Sequence, residues 1–335
     1  MTAKKNPGTF GVQPQPTRGD PLPDYSNQNR KARVIAVVPF FKNNWIEHGP
    51  QTSLVAQLLA YTDSMQPLLD GPIDGRCLSQ FTNAGKSRMI DALVAEAARL
   101  RAEAGLPPNK YHIIKVELDG ATSLKSFFRQ ILKQLDDPYW NDKHDTIDDL
   151  EDRIHYFSRK LGVHGLVGDE AQHLDKKSSD ATAVTNRLKS FLNRGIVPLI
   201  LVGNEKAEKF FEQNGDLASR LGTPLVLKPL DPRNDAADRK LFTEFCKKLD
   251  ASMGDAGVVD EPAGFDQAGL RSQLLAVSSG HIGRVCRVVC EATIHALWRG
   301  SPLVEKHDLS VATRLYAMGP VKWIGRDPFS RKAGK

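Results

Sequence analysis

The sequence contains no long apolar run and few cysteines, and both absences exclude classes of protein. No stretch of about 18 apolar residues is present, which argues against a membrane-spanning helix. The N-terminal residues also lack the apolar segment of a signal peptide, so we expect a cytoplasmic protein with no membrane partner. Four cysteines in 335 residues are too few and too scattered for a disulfide framework. Cys286 and Cys290 are one helical turn apart, which favours buried thiols on an apolar face over a metal site.

The net charge of +6 is concentrated at the two ends of the chain. Residues 1–33 and residues 319–335 each carry +4, so the residues between them sum to about −2. Residues 1–33 are rich in proline, glycine, asparagine and glutamine and predict a flexible basic arm. Residues 319–335 predict a basic C-terminal tail. Basic ends suit contact with nucleic acid or an acidic partner, and solvated tails are the alternative.

Alternating strand and helix patterns from residue 34 to residue 234 predict an α/β core. Such alternation favours a parallel sheet sandwiched by helices. The apolar run at 34–41 is expected to pack on this core or on a neighbouring subunit. From residue 235 to residue 318 the strand patterns end and helical patterns predict a small all-α domain.

The segment from Gln80 to Ser87 reads as a phosphate-binding loop between a strand and a helix. In the pattern G-x-x-x-x-G-K-[ST], backbone N–H groups surround the β-phosphate, the lysine reaches the β- and γ-oxygens, and the hydroxyl holds Mg²⁺. Gly85, Lys86 and Ser87 fill the last three places, whereas Gln80 stands where the first glycine belongs. Because that glycine allows a backbone angle that side chains resist, Gln80 leaves nucleotide affinity open. An ordinary helix start is the alternative interpretation.

A mostly apolar strand pattern ends in Asp169 and Glu170. The carboxyl ends of parallel strands form the edge of the sheet at which ligands bind. We therefore expect Asp169 to hold Mg²⁺ through water and Glu170 to orient the attacking water. A surface turn with two acids is the alternative. Asn204 follows the next buried strand and is expected to reach the γ-phosphate or the same water.

Taken together, these motifs resemble the AAA+ ATPases over residues 46–318. The phosphate loop, Asp169-Glu170, Asn204, Arg220 and Gly283-Arg284 occur in the order typical of that family. The sequence Asp-Glu-Ala-Gln-His-Leu, a helix before the core and a short helical lid look most like the TniB/TnsC group of transposon ATPases. The resemblance implies that Asn204 is the first sensor, Arg220 an arginine finger for the adjoining subunit and Arg284 the second sensor. Without the resemblance, Arg284 reads equally well as a solvated arginine.

The resemblance also implies ATP hydrolysis with Mg²⁺ as the metal. The catalytic residues would be Lys86, Glu170, Asn204 and Arg220, and the metal would be held by Ser87 and Asp169. Two departures from the family pattern, Gln80 and Gly168 (in place of a bulky apolar residue), predict slow turnover. The nucleotide-binding residues implied are Thr82, Asn83, Ala84, Gly85, Lys86, Ser87, Arg88, His48 and Arg284.

A DNA-dependent assembly is the functional expectation that follows from this resemblance. ATP-bound subunits would form a homo-oligomer, as a helical filament around duplex DNA, and recruit a transposase and a target-selection protein. Lys125, Arg129 and Lys133 are spaced by four on a predicted helix, and Lys125 and Arg129 are candidates for sequence-independent DNA contacts. Two alternatives stay open: an ATPase of another assembly, such as the secretion-associated ATPases that share Asp-Glu-Ala-Gln, and a non-hydrolysing nucleotide-dependent scaffold, which Gln80 favours.

Overall fold

The computed structural model describes residues 27–79, 84–118, 123–174, 181–208, 215–319 and 321–330. The chain folds into two compact units. The α/β unit is Glu47–Pro229, and the helical unit combines the chain up to Ile46 with the chain from Leu230 onward. Among the helices in the described ranges, none is long and apolar enough to cross a membrane.

Within the described residues, five parallel strands form the sheet of the α/β unit, in the order β2-β3-β4-β1-β5. All residues of β3 and β4 are buried, which explains why these strands are continuous apolar runs rather than alternating patterns. The predicted parallel sheet is therefore confirmed. The strands are β1 (Arg76–Ser79), β2 (Ile113–Glu117), β3 (Gly165–Asp169), β4 (Leu199–Gly203) and β5 (Leu225–Val226).

Helices flank this sheet, and local signals in the sequence account for their ends. Helix α5 begins with a reciprocal capping box between Thr146 and Asp149 and ends at Gly162, which adopts the left-handed conformation. Ser123 caps α4 by accepting a hydrogen bond from Ser126 N. The helices are α2 (Gly49–Met65), α3 (Lys86–Glu103), α4 (Leu124–Gln134), α5 (Ile147–Leu161), α6 (Ala181–Asn193) and α7 (Gly215–Leu221).

Helix α4 supplies the aromatic part of the α/β core. Phe127, Phe128 and Ile131 are buried on the apolar face that the sequence spacing predicts. The ring of Phe128 stacks on that of Phe191 in α6, with 5.6 Å between centroids. This packing holds α4 and α6 in place around the strands that end at the candidate site.

The helical unit is built around one nearly fully buried helix, α10. Its valines and alanines, among them Val285, Val288, Val289, Ala292 and Ala296, are shielded from solvent, and α1 and α11 pack against it. A π-helical turn, Thr313–Ala317, follows α11. The helices are α1 (Gln28–Asn43), α8 (Ala236–Asp255), α9 (Ala268–Ser278), α10 (Ile282–Arg299) and α11 (Lys306–Ala312).

Helix α1 corrects the predicted N-terminal boundary between an arm at 1–33 and a core from 34. The helix begins at Gln28, and the apolar run at 34–41 packs within the helical unit rather than on the sheet. Val37 is completely buried there. Arg33 donates to Asp260 Oδ2 at 3.0 Å and to the carbonyl of Val258, so part of the charge assigned to the arm is engaged internally.

The C-terminal segment at 321–330 corrects the prediction of a basic tail from residue 319. Phe329 is only 2% exposed, and it joins the apolar core of the helical unit. Trp323 Nε1 donates to the carbonyl of Val277 at 3.0 Å, and Ser310 Oγ donates to the buried Asp327. The helical unit therefore extends past residue 318, and it begins at Leu230 rather than 235 because that residue already packs in its core.

Candidate active site

Gly85 caps α3 at the C-terminal end of the phosphate loop. It has a φ of +100°, a conformation that L side chains rarely adopt. A Cβ at this position would lie 2.9 Å from Gln51 Nε2 of α2. The backbone angle therefore favours glycine here, whereas the flexible Gln51 side chain could move aside. The preceding Ala84 is buried, whereas Gln80, Thr82 and Asn83 lie outside the described residues.

Lys86 is the first residue of α3 and is only 7% exposed. Burial lowers the pKa of its ammonium group, and the negative charges of Glu170, Asp169 and Glu205 oppose that shift. A buried cation at the N-terminus of a helix attracts anions, because the backbone N–H groups of the first turn point the same way. The position is suited to a phosphate group.

Ser87 and Asp169 form the candidate metal-binding pair. Ser87 Oγ donates to Asp169 Oδ2 at 3.3 Å, which joins the start of α3 to the end of β3. Burial raises the pKa of Asp169, against the opposing charge of Lys115 and the hydrogen bond from Glu170 N. A buried carboxylate beside a hydroxyl offers the oxygen ligands that Mg²⁺ prefers, so these two residues fit the predicted metal.

Lys115 is a member of the site that sequence reasoning missed. Its Nζ lies 4.0 Å from Asp169 Oδ2 and 3.1 Å from Asp91 Oδ1 of α3. The signal was present, because Lys115 is the one charged side chain within the apolar part of the β2 pattern. Its contact with Asp169 depends on the pairing of β2 with β3, which the sequence alone does not specify.

Glu170 follows β3 in the left-handed conformation, with φ = +62°, and begins a 3₁₀ turn at Ala171–His173. This turn places Gln172 beneath the acidic pair, where its side chain is buried. Gln172 Nε2 donates to Glu170 Oε2, and Gln172 Oε1 accepts from Asn204 N at 3.1 Å. Gln172 is a second residue that the sequence interpretation did not select.

Asn204 lies directly after β4, at the same edge of the sheet as Asp169 and Glu170. Its backbone carbonyl accepts from Ser79 Oγ at 3.1 Å, which ties the ends of β1 and β4 together. Its side-chain Oδ1 accepts from Lys206 N at 2.9 Å, so the amide starts the helical turn at residues 205–208. The structure thus brings Lys86, Ser87, Asp169, Glu170 and Asn204 to one edge of the sheet.

The protein family that matches this chain is described as "Bacterial TniB protein", and the match covers residues 42–229, which is more than half of the chain. The chain belongs to the TniB family. A search of curated proteins found no match.

Solved structures share the fold of this TniB-family chain at low sequence identity. The ORC1 protein of Aeropyrum pernix, solved in complex with DNA, matches with a TM-score of 0.58 at 14% identity, over 80% of this chain and 65% of that one. The A. pernix ORC2 protein in its ADPNP-ADP complexes matches with a TM-score of 0.58 at 13% identity, over 82% of this chain and 70% of that one. Cdc6p of Pyrobaculum aerophilum matches with a TM-score of 0.58 at 12% identity, over 83% of this chain and 70% of that one. The chain has the AAA+ P-loop fold that its motifs predict.

In the TniB-family chain, His48 and Arg88 lie on either side of the described loop residues. His48 is the buried residue before α2, one turn from the Gln51 side chain that approaches Gly85. Arg88, in the first turn of α3, pairs with Asp91 Oδ2 at 3.3 Å. Their roles in nucleotide binding stay predictions.

Arg220 lies near the end of α7, at the surface of the α/β unit. Its backbone carbonyl accepts from Gly75 N at 2.8 Å, which fixes the helix to the start of β1. Its guanidinium is one-third exposed and lies 3.8 Å from the exposed Asp74. The guanidinium is thus partly exposed, and the role of Arg220 toward a second subunit stays a prediction.

Arg284 lies in the helical unit of the TniB-family chain, in the first turn of α10. The guanidinium is 5.2 Å from the centroid of the Trp323 ring, and Arg287 one turn later is 4.5 Å from that of Tyr316. Stacking on aromatic faces is favourable for arginine and aligns its planar group. The C-terminal segment at 321–330 therefore takes part in placing Arg284, a contact that the sequence interpretation did not include.

The predicted basic stripe on α4 is less open to solvent than its spacing suggests. Arg129 donates from Nη2 to the carbonyl of Asp142, and Lys133 Nζ lies 5.0 Å from the centroid of the Trp140 ring. Lys125 is half-buried. The pKa of Asp149 is lowered chiefly by hydrogen bonds from Thr146, and the charge of Lys125 makes a smaller contribution in the same direction. Their contact with DNA stays a prediction.

Proposed function

We propose that this TniB-family chain is an ATP-hydrolysing AAA+ regulator of DNA transposition. It assembles on duplex DNA and recruits a transposase and a target-selection protein. The observation that carries the proposal is the convergence of Lys86, the Ser87–Asp169 pair and Glu170 at one edge of the sheet, in a chain of the TniB family. These are the groups that phosphoryl transfer to water requires.

The site residues divide the chemistry among them. Lys86 and the N-terminus of α3 bind the β- and γ-phosphate oxygens and withdraw negative charge from them. Glu170 orients a water molecule toward the γ-phosphate, and Asn204 holds the γ-phosphate or that water in line. Mg²⁺ held by Ser87 and Asp169 would supply further positive charge opposite the transferring group.

Hydrolysis in this proposal depends on assembly. Arg220 from one subunit enters the site of its neighbour, where an arginine finger contributes about 10³ to 10⁵ in rate. Arg284 senses the bound nucleotide from the helical unit. A single subunit is then nearly inactive, and turnover reports the formation of the oligomer.

The basic charge of the chain supports duplex DNA as the partner. The chain has a pI of about 9.0, and Lys125 and Arg129 are the candidates for contacts with the DNA backbone. Backbone contacts of this kind are sequence-independent and weaken steeply with salt.

The test measures ATP binding and ATP turnover separately, with and without duplex DNA. We expect turnover to rise with DNA, Lys86→Ala to lose ATP binding, and Glu170→Gln to bind ATP without hydrolysing it. Lys110→Ala is the matched control, because this exposed lysine pairs with Asp136 instead of the site carboxylates. Turnover that does not change when DNA is added would favour an ATPase of another assembly. ATP binding without turnover would favour the non-hydrolysing nucleotide-dependent scaffold.

A further inference from the structure

Gln172 connects two of the residues to which the proposed function assigns catalysis. It is 5% exposed, and its side chain makes two hydrogen bonds. Nε2 donates to Glu170 Oε2, and Oε1 accepts from the backbone N–H of Asn204 at 3.1 Å. One amide therefore spans the gap between the end of β3 and the end of β4.

The orientation of this amide follows from its partners. A backbone N–H can only donate, so the atom of Gln172 that faces Asn204 must be the oxygen. The NH₂ group then faces Glu170, and a carboxylate accepts that hydrogen bond. The two contacts agree with each other, and a swap of oxygen and nitrogen would break both.

Gly203 leaves the space that this arrangement needs. A Cβ at this position would lie 3.0 Å from Gln172 Oε1 and 2.3 Å from the Cβ of Ala207. A side chain at residue 203 would therefore displace the Gln172 amide or the helical turn at 205–208. Glycine at the end of β4 is explained chiefly by the close approach of Ala207, and Gln172 Oε1 adds a second tight contact.

We propose that Gln172 is a positioning residue that fixes the Glu170 carboxylate and couples it to Asn204. The inference rests on the proposed function, in which Glu170 orients water and Asn204 contacts the γ-phosphate or that water. Because one rigid amide holds both, a shift of the Asn204 backbone moves the Glu170 carboxylate with it. The position of the Glu170 carboxylate, which orients the water, therefore changes when the backbone at the end of β4 moves.

A buried glutamine could also serve packing alone, and two substitutions separate these roles. Gln172→Ala removes both hydrogen bonds. Gln172→Met keeps most of the side-chain volume, but its thioether cannot donate to Glu170 and accepts only weakly from Asn204, so it tests the hydrogen bonds apart from packing.

The experiment measures the Kd for ATP and kcat in the full chain with duplex DNA. For Gln172→Ala we expect a Kd within about threefold of the original and a kcat lower by about 10²-fold, the cost of misplacing a catalytic group. For Gln172→Met we expect the same split between Kd and kcat in a chain that stays folded at the assay temperature, whereas a packing role predicts that turnover is retained. His173→Ala, in the same turn, controls for local folding and should retain turnover.

The outcomes separate this inference from the proposed function. Normal turnover in Gln172→Ala, or in Gln172→Met, would overturn the positioning role while the ATPase stands. An unmodified chain that never hydrolyses ATP with DNA would overturn the proposed function and this inference with it.

Discussion

At the residue scale, Gly168 lies immediately before the acidic pair, where AAA+ proteins usually have a bulky apolar side chain. A Cβ at this position would lie 3.2 Å from Leu201 Cδ2 and 3.4 Å from Phe127 Cζ. Phe127 of α4 therefore occupies the volume that a larger residue at 168 would fill. Packing therefore accounts for glycine at this position, and slow turnover stays a prediction.

His112 gives a prediction about stability and pH. Burial lowers the pKa of His112 to about 4, with further lowering by the charges of His164 and Arg101. Its Nδ1 has no hydrogen-bond partner among the described residues, and its ring lies 4.7 Å from that of His164. The folded state therefore keeps His112 neutral, whereas the unfolded chain takes up a proton near the ordinary histidine pKa of about 6.5.

The difference in pKa between the two states makes the free energy of unfolding depend on pH. The stability that neutral His112 contributes is fully present above pH 6.5 and is lost as the pH falls toward 4. We expect His112→Gln to flatten the decline of the free energy of unfolding over that range, measured by urea titration at several pH values. His144→Gln, at an exposed position, is the control and should keep the original slope. Equal slopes for the two variants would contradict the assignment.

The sequence could predict those site residues that lie in one short motif, but not those that reach the site through contacts between distant segments. Lys86, Ser87, Asp169 and Glu170 lie in short motifs whose spacing fixes their place at the ends of β1 and β3. Their location could therefore be predicted. Gln172 and Lys115 join the site through contacts between strands and turns that are far apart in sequence. Those contacts depend on strand register, which no local pattern specifies.

At the element scale, the sheet and its helices could be predicted, whereas the two ends of the chain could not. Strand and helix alternation is a local pattern, so β1 to β5 appear where the sequence indicates them. At the N-terminal end, the pattern does not say where the apolar run at 34–41 of α1 packs, and at the C-terminal end the segment at 321–330 has few apolar residues among charged ones. Those few residues, such as Val37 and Phe329, decide the packing because each is buried in the helical unit.

Phe329 gives the prediction that belongs to this scale. Phe329→Ala removes a fully packed ring, and large-to-small changes at such sites cost about 3–5 kcal/mol. We expect a clear fall in the melting temperature of the helical unit, measured by calorimetry. Arg326→Ala, at an exposed position in the same segment, is the control and should have little effect. If both variants melted like the original chain, the segment would be a solvated tail after all.

At the scale of the whole molecule, the proposed function requires residues from two subunits in each site. The α/β unit holds the phosphate loop, the acidic pair and Arg220, whereas Arg284 belongs to the helical unit. If Arg220 completes the site of a neighbouring subunit, its loss should leave ATP binding intact. We expect Arg220→Ala to bind ATP with unchanged Kd and to lose turnover by about 10³-fold or more, measured with duplex DNA. Asp74→Asn controls for the local ion pair, which as an exposed contact contributes about 0–1 kcal/mol.

Mixing two inactive variants tests whether Arg220 acts between subunits. Arg220→Ala subunits keep an intact Glu170, and Glu170→Gln subunits keep an intact Arg220. In a mixed assembly, a Glu170→Gln neighbour supplies the missing arginine to the site of an Arg220→Ala subunit, so turnover should reappear although neither variant is active alone. An arginine that acts within its own subunit could not be supplied in this way. Persistent inactivity of a mixture that co-assembles on DNA, seen by electron microscopy, would therefore remove Arg220 as the finger.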